Sequence, residues 1–152
     1  MHSCLQVANR LLQLAHGAGA TLTPMQLIKL VYMCHGWMLG LYGRPLIQEQ
    51  VQAWKFGPVI PELYRHLRQY GGGPVTRSLP CPEQTEFSRL EANLIEQVYS
   101  QCGGYDGVEL SEMTHQIGSP WHQTWDPEVW NRPIPNEVIR AYHAKLAGTV
   151  AG

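Results

Sequence analysis

The sequence predicts a mainly α-helical protein, a compact bundle of about six helices with one short extended segment. Three observations favour this class. Apolar residues recur at helical spacing in several segments, capping residues precede those segments, and residues 46–56 read as a short strand or hairpin arm. The chain has 152 residues, of which 44% are apolar and 15% charged, values typical of one globular domain. We therefore expect a single domain over residues 1–152.

The first two helices are predicted from their caps. Ser3 is a good N-cap for an apolar run that Gly17 stops. Thr23 and Pro24 combine an N-cap with a proline at the first helical position, and the helix that they start is predicted to end at Tyr42. This second helix is apolar on almost every side, which predicts a position at the centre of the bundle.

Two glycines, Gly36 and Gly40, lie one turn apart within the second helix. A glycine inside a helix costs about 1 kcal/mol relative to alanine, so a pair of them indicates a packing reason. We expect that they let a neighbouring helix approach closely.

The extended segment, residues 46–56, ends in Trp54-Lys55-Phe56. Side chains alternate along a strand, so Trp54 and Phe56 are predicted to anchor one face of the segment in the core. Lys55 is then predicted to project from the opposite face, towards solvent or a partner.

The third helix is predicted to begin between Pro58 and Pro61, where either proline suits a first turn. The glycine- and proline-rich residues 71–82 are predicted to form a surface loop. A fourth helix is predicted to end at Gly103, and residues 118–135 read as irregular.

A capping box of Asp106 and Glu109 predicts a fifth helix, and the apolar spacing of residues 138–146 predicts the last one. The centres of the apolar stripes predict the core. The residues expected to be largely buried are Leu30, Trp37, Leu41, Leu63, Leu94 and Leu110.

Composition and patterning give no support to several classes of protein. The 11 Lys and Arg residues balance 12 Asp and Glu residues, so no overall field favours nucleic acid or an anionic membrane. The most apolar stretch, residues 30–39, is shorter than the roughly 20 residues that span a bilayer. The four cysteines are scattered without a CxxC pair, and the N-terminus lacks the features of a signal peptide. We expect a cytoplasmic protein with reduced thiols and no membrane segment.

The candidate chemical residues form no recognisable site. Cys34 and His35 are neighbours on a helix and therefore point about 100° apart, which excludes a catalytic pair. His115 and His122 would need two further ligands to bind zinc. Neither a nucleophile elbow nor a phosphate-binding loop is present. We predict no catalytic, cofactor-binding or metal-binding residue, and the alternative is a small hydrolase that uses His35, His115 or His122.

Aromatic residues are concentrated in the segments predicted to be extended or irregular. These residues are Trp54, Phe56, Trp121, Trp125 and Trp130. Large residues in loops often close the ends of a bundle, but Trp is also enriched in binding hot spots. The sequence is compatible with both interpretations.

Three motifs carry a resemblance to a known family. They are KLVY with HGW within residues 29–37, AWKFGPV at residues 53–59, and LSEMTH followed by PW within residues 110–121. In these motifs, and over about residues 3–146, the chain resembles the Panacea domain family, which includes phage-associated GepA-like proteins and SocA-like antitoxins.

The resemblance implies a mainly helical, non-enzymatic domain that serves as the antitoxin of a toxin–antitoxin pair. Its implied partner is a protein toxin encoded next to it, often in a prophage. The antitoxin would neutralise the toxin directly or deliver it, as an adaptor, to a cytoplasmic AAA+ protease. No cofactor or catalytic residue is implied. A DNA-binding autoregulator is the further alternative, although the Arg and Lys residues are too dispersed to favour it.

The partner-binding surface is predicted around the extended segment and the third helix. The predicted contact residues are Trp54, Lys55, Tyr64, Arg65 and Arg68. The physical reason is that an aromatic anchor adjoins a helix whose outer face carries tyrosine and arginine, which supply large contact areas and several donors. The segment 121–130 is the alternative surface.

Overall fold

The computed structural model describes residues 1–81 and 86–151, and the fold is mainly α-helical, as predicted. Within these residues the chain forms seven α-helices, three short strands and a 3₁₀ turn at Arg68–Tyr70. The helices are α1 (Cys4–Gly17), α2 (Pro24–Tyr42), α3 (Pro61–Leu67), α4 (Arg89–Cys102), α5 (Gly107–Thr114), α6 (Pro120–Thr124) and α7 (Asn136–Ala151). The strands are β1 (Gln52–Trp54), β2 (Gly57–Val59) and β3 (Arg132–Pro133). Pro82, the last residue of the predicted loop, lies outside the described residues.

The first two helices begin at the capping residues predicted from the sequence. Ser3 Oγ accepts a hydrogen bond from the backbone N–H of Leu5, and Thr23 forms a reciprocal capping box with Gln26 at the start of α2. Helix α2 ends at Gly43, whose φ of 70° is the left-handed conformation that glycine adopts at helix C-termini. The predicted bounds of both helices are confirmed.

The C-terminal half contains one confirmed cap and one correction. Asp106 and Glu109 form the predicted capping box of α5. Residues 118–135 were expected to be irregular, and this is wrong in part, because the segment includes α6 and β3. Ser119 caps α6 and Pro120 occupies its first position. Helix α6 is only five residues long, so it has no apolar periodicity that the sequence could display.

Helix α2 lies at the centre of the bundle and contacts α1, α4, α5 and α7. The predicted core residues Leu30, Leu63, Leu94 and Leu110 are buried, which confirms that part of the expected core. Trp37 is half-buried, and the expectation for Leu41 is wrong, because its side chain is 51% exposed. Leu41 lies in the last turn of α2 and faces a shallow depression at the start of α4.

Helix α7 packs directly against the two glycines of α2. A β-carbon at Gly36 would lie 2.4 Å from the imidazole ring of His143, and one at Gly40 would lie 2.8 Å from the His143 carbonyl carbon. Both distances are shorter than any real contact of a β-carbon. The expected close approach of a neighbouring helix is therefore confirmed.

The three strands form a small antiparallel sheet in the order β2-β1-β3. Strand β1 ends at Trp54, which pairs with Gly57, and Lys55 and Phe56 form the two-residue turn between β1 and β2. The prediction that Phe56 shares a buried strand face with Trp54 is wrong, because Phe56 is 68% exposed at the tip of the hairpin. The chain reverses there because Gly57 adopts a φ of 122°, which other residues rarely adopt.

Candidate partner-binding groove

An open groove of about 880 Å³ lies between the hairpin turn, the start of α2, helix α3 and the segment that precedes β3. Its walls are mostly apolar. The lining residues that carry large apolar or charged side chains are Met25, Ile28, Lys29, Trp54, Lys55, Phe56, Val59, Tyr64, Arg68, Trp125, Asp126, Val129 and Trp130. Two of the aromatic side chains are largely open to solvent, Phe56 at 68% and Trp130 at 88% exposure.

Three side chains hold the hairpin from behind, and each donates a hydrogen bond to a different backbone carbonyl. The bonds run from Trp121 Nε1 to Trp54 O at 2.6 Å, from Ser111 Oγ to Phe56 O at 2.9 Å and from Lys29 Nζ to Pro58 O at 2.8 Å. The donors belong to α6, α5 and α2, so three separate helices fix one turn. The backbone of the hairpin is thus held at three alternate residues.

Lys29 is the least expected of these donors, because its side chain is only 3% exposed. Its ammonium occupies the space next to Gly57, where a β-carbon would lie 2.7 Å from Nζ. Burial lowers the pKa of Lys29 from 10.5 to about 8. The site therefore places a cation behind the hairpin turn, beside the floor of the groove.

Four of the five predicted contact residues line the groove. Trp54, Lys55, Tyr64 and Arg68 are among its lining residues, and the rings of Trp54 and Tyr64 meet edge to face with centroids 5.2 Å apart. Arg65 is not a lining residue, and it forms an ion pair with Glu62 on the same helix. That these residues contact a partner stays a prediction.

The opposite wall comes from the segment between α6 and β3. Trp125 stacks on the buried Trp121, with ring centroids 5.2 Å apart and planes 19° from parallel. The chain then passes through Val129 and Trp130 and turns at Asn131, whose φ of 55° is left-handed. The two surfaces that the sequence offered as alternatives are therefore opposite walls of one groove.

The charge of the groove is mainly positive. Among the described residues that line it, Lys29, Lys55 and Arg68 are basic and Asp126 is acidic. The Asp126 carboxylate is already engaged: Oδ2 lies 3.7 Å from Arg132 Nη1, and Oδ1 accepts a hydrogen bond from a backbone N–H nearby. In the part of the chain that the structure describes, Lys55 and Arg68 have no acidic partner within 4.0 Å. The Lys55 ammonium instead lies 5.4 Å from the ring centroid of Phe56.

His35 is the buried one of the three histidines considered for a hydrolase, and its contacts connect parts of the fold. His35 is fully buried, and its Nδ1 accepts hydrogen bonds from the backbone N–H groups of Leu46 and Ile47 at 3.3 and 3.4 Å. Its Nε2 lies 3.0 Å from Asn136 Oδ1, which implies that Nε2 carries the proton. Burial lowers the pKa of His35. The ring joins the chain that follows α2 to the start of α7.

The other two candidates also make local contacts. The His115 ring meets Trp121 edge to face with centroids 5.3 Å apart, and His122 Nδ1 accepts a hydrogen bond from the backbone N–H of Gly118 at 3.1 Å. The first is a packing contact and the second caps the start of α6, so both contacts favour a structural role for these histidines. Across residues 1–81 and 86–151, no three His, Cys, Asp or Glu side chains are grouped to hold a metal ion. The same ranges contain no helix that could cross a membrane.

Comparison with known proteins identifies similar chains. The family described as "Antitoxin SocA-like, Panacea domain" matches residues 27–122, a range that includes all three donors to the hairpin. The chain is 32% identical to "Antitoxin SocA" of Caulobacter vibrioides (strain NA1000 / CB15N), and the alignment covers 76% of this chain. The chain spans 66% of the length of that relative. No solved structure gives a significant match.

Proposed function

Because the chain belongs to the SocA-like Panacea domain family of antitoxins, we propose that it acts in the cytoplasm and neutralises a protein toxin by binding it in the groove. The observation that carries the proposal is the exposure of Phe56 and Trp130 on the walls of one apolar groove. Contiguous apolar surface of this kind is uncommon on soluble monomers and often marks a binding site. Tryptophan, tyrosine and arginine are also the residues most enriched in binding hot spots.

The support of the hairpin favours the same function. A partner that binds a preformed surface does not have to order it first, so less of the interaction energy is lost. The carbonyls of Trp54, Phe56 and Pro58 are fixed by donors from three helices, which places the groove wall before any partner arrives. The hairpin is thus suited to rigid recognition.

The toxin that we propose is encoded next to this gene. The test begins with co-expression of the neighbouring gene product, which should stop growth alone and be tolerated with this protein. Trp130→Ala should abolish that protection, because it removes the most exposed aromatic side chain of the groove. Ile117→Ala is the matched control, since Ile117 is 90% exposed and does not line the groove. Full protection by folded Trp130→Ala would place the toxin elsewhere.

The fate of the toxin separates the two modes of neutralisation. An antitoxin that covers the toxin leaves its level unchanged, whereas an adaptor to an AAA+ protease lowers that level. Immunoblotting of the toxin after protein synthesis is stopped, with and without the protease, distinguishes them. A toxin that decays only when both the antitoxin and the protease are present identifies the adaptor mode.

A further inference from the structure

We propose that the segment of the partner which enters the groove carries bulky apolar side chains next to a carboxylate, and that this carboxylate contacts Arg68 and Lys55. The inference rests on the proposed function, because it describes the chemistry of the partner at the same groove. The proposed occupant is an apolar stretch of protein that contains an acidic side chain. Neither the overall charge of the chain nor its family implies this feature.

The apolar part follows from the walls of the groove. Met25 and Ile28 of α2 form one side, and Val129 and Trp130 form another, with Phe56 at the rim. Four of these five side chains are exposed to solvent, and Ile28 is buried. Burial of such surface is the main source of favourable free energy in protein association. A purely polar segment would leave these side chains without complementary contacts.

The acidic part follows from the imbalance of charge. Three of the described lining residues are cations, and the carboxylate of Asp126 already has Arg132 and a backbone donor as partners. The net charge of the whole chain is −1, so the positive potential belongs to the groove and not to the protein as a whole. Apolar walls strengthen such a field, because fewer water molecules screen it.

Lys29 adds to this field from behind the hairpin. Within the described ranges its ammonium donates one hydrogen bond, to the neutral carbonyl of Pro58, although an ammonium can donate three. No acidic side chain among those residues lies within 4.0 Å of it. A buried cation without a counter-ion gains from an anion nearby, and the groove is the side on which a partner can bring one.

Two other occupants fit these observations less well. A second copy of this chain, bound groove to groove, would bring Lys55 and Arg68 of one copy close to Lys55 and Arg68 of the other. Like charges across an interface cost several kcal/mol. A single-stranded nucleic acid would pair with the cations and stack on tryptophan. The apolar side chains of Met25, Ile28 and Val129, however, provide neither a charge nor a ring on which a base could stack. Binding of a nucleic acid in the groove is therefore measured directly.

The experiment uses a random peptide library displayed on phage and selected on the full-length protein. Parallel selection on Trp130→Ala defines the background that does not depend on the groove. We expect the enriched peptides to combine large apolar residues with Asp or Glu. Enrichment of peptides without an acidic residue, or no enrichment above the Trp130→Ala background, would overturn the inference.

The best enriched peptide is then synthesised with a fluorescent label, and its Kd is measured by anisotropy. Arg68→Glu should weaken binding about tenfold or more, and added salt should weaken binding to the unsubstituted protein. Arg140→Glu is the control, because Arg140 is an exposed arginine of α7 that does not line the groove. Replacing the acidic residue of the peptide by Lys should restore binding to Arg68→Glu. Circular dichroism and urea unfolding verify that each variant is folded. If Arg68→Glu is not folded, Arg68→Gln supplies a second test.

Protection against the toxin separates failure of this inference from failure of the proposed function. If Trp130→Ala loses protection while Arg68→Glu and Lys55→Glu keep it, the groove binds the toxin and the carboxylate contact is refuted. If all three variants protect fully, the groove itself is refuted. Tight binding of a labelled single-stranded oligonucleotide that competes with the peptide would also overturn the inference.

Discussion

Replacing Lys29 by methionine tests whether this buried cation supports the groove or the fold. Met has nearly the same length and shape, so the change removes the ammonium and its hydrogen bond to Pro58 O with little effect on packing. An unsatisfied buried carbonyl costs about 1–3 kcal/mol. The shift in the pKa of Lys29 from 10.5 to about 8 means that burying the charged form costs about 3 kcal/mol relative to the neutral form.

These two contributions oppose each other and are similar in size. We therefore expect the free energy of unfolding of Lys29→Met at pH 7 to lie within about 2 kcal/mol of the original value. Protection against the toxin should nevertheless fall, because the turn between β1 and β2 loses one of its three donors. Urea unfolding and the growth assay measure the two effects separately.

The pH dependence provides a sharper measure. Between pH 8 and pH 10.5 the unfolded chain keeps the Lys29 proton that the folded chain has lost, so the stability of the folded chain rises with pH in that range. Relative to Lys29→Met, the free energy of unfolding should increase by about 1 kcal/mol from pH 7 to pH 9. Taking the difference between the two proteins removes the opposite contribution of buried thiols and tyrosine, which the substitution leaves in place. A difference that stays constant with pH would refute the assignment of a buried ammonium. Loss of more than about 4 kcal/mol at pH 7 would show that the cation is essential to folding.

Three further predictions concern the bundle. Gly36→Ala should lower the free energy of unfolding by about 1–3 kcal/mol in urea, because its β-carbon would overlap His143, and an unchanged midpoint would contradict this packing. Leu30→Ala should cost about 2–5 kcal/mol, whereas the exposed Leu41→Ala should cost far less, and equal costs would refute the buried position of Leu30. Burial lowers the pKa of His35 and His143 below 6.5, so their contribution to stability is complete above pH 6.5 and is lost as the pH falls through the lowered values. Urea midpoints measured from pH 7.5 to pH 5 should decrease, and a constant midpoint would contradict this.

Helix boundaries were predictable because their signals are local. A cap such as Ser3 or Thr23 forms its hydrogen bond within three residues, so the sequence contains both partners. Gly36 and Gly40 were informative for a related reason, since a costly residue in a helix predicts a close neighbour even when that neighbour is unknown. The start of α7 against α2 depends on His35 and Asn136, which lie far apart in the chain, and no local pattern could have paired them.

Each wall of the groove could be predicted as a separate surface, but their union in one site could not. The two walls are brought together by a strand pairing that leaves no pattern in the sequence. Strand β3 contains two residues, one of them a proline, and it pairs with β1 through Gln52–Pro133 and Ala53–Arg132. Such a short strand lacks the alternation that identifies strands. The pairing brings residues 125–131 beside the hairpin, so surfaces that looked like alternatives in the sequence became one site. The sequence also did not predict that the chain turns at Lys55 and Phe56, because this turn depends on the conformation of Gly57 and on donors from distant helices.

The residues that hold the hairpin rigid are different from the residues that the hairpin presents to a partner. Lys29, Ser111 and Trp121 all bind backbone carbonyls, so their hydrogen bonds do not depend on which side chains the turn carries. Lys55 and Phe56 are exposed at the tip and are not needed for those bonds. Substitution at these two positions should therefore change the partner that the groove accepts while the turn keeps its geometry, because side-chain contacts set the difference in affinity between partners. With the backbone of the turn fixed and the two exposed side chains free to vary, the same fold would bind different apolar, acidic segments.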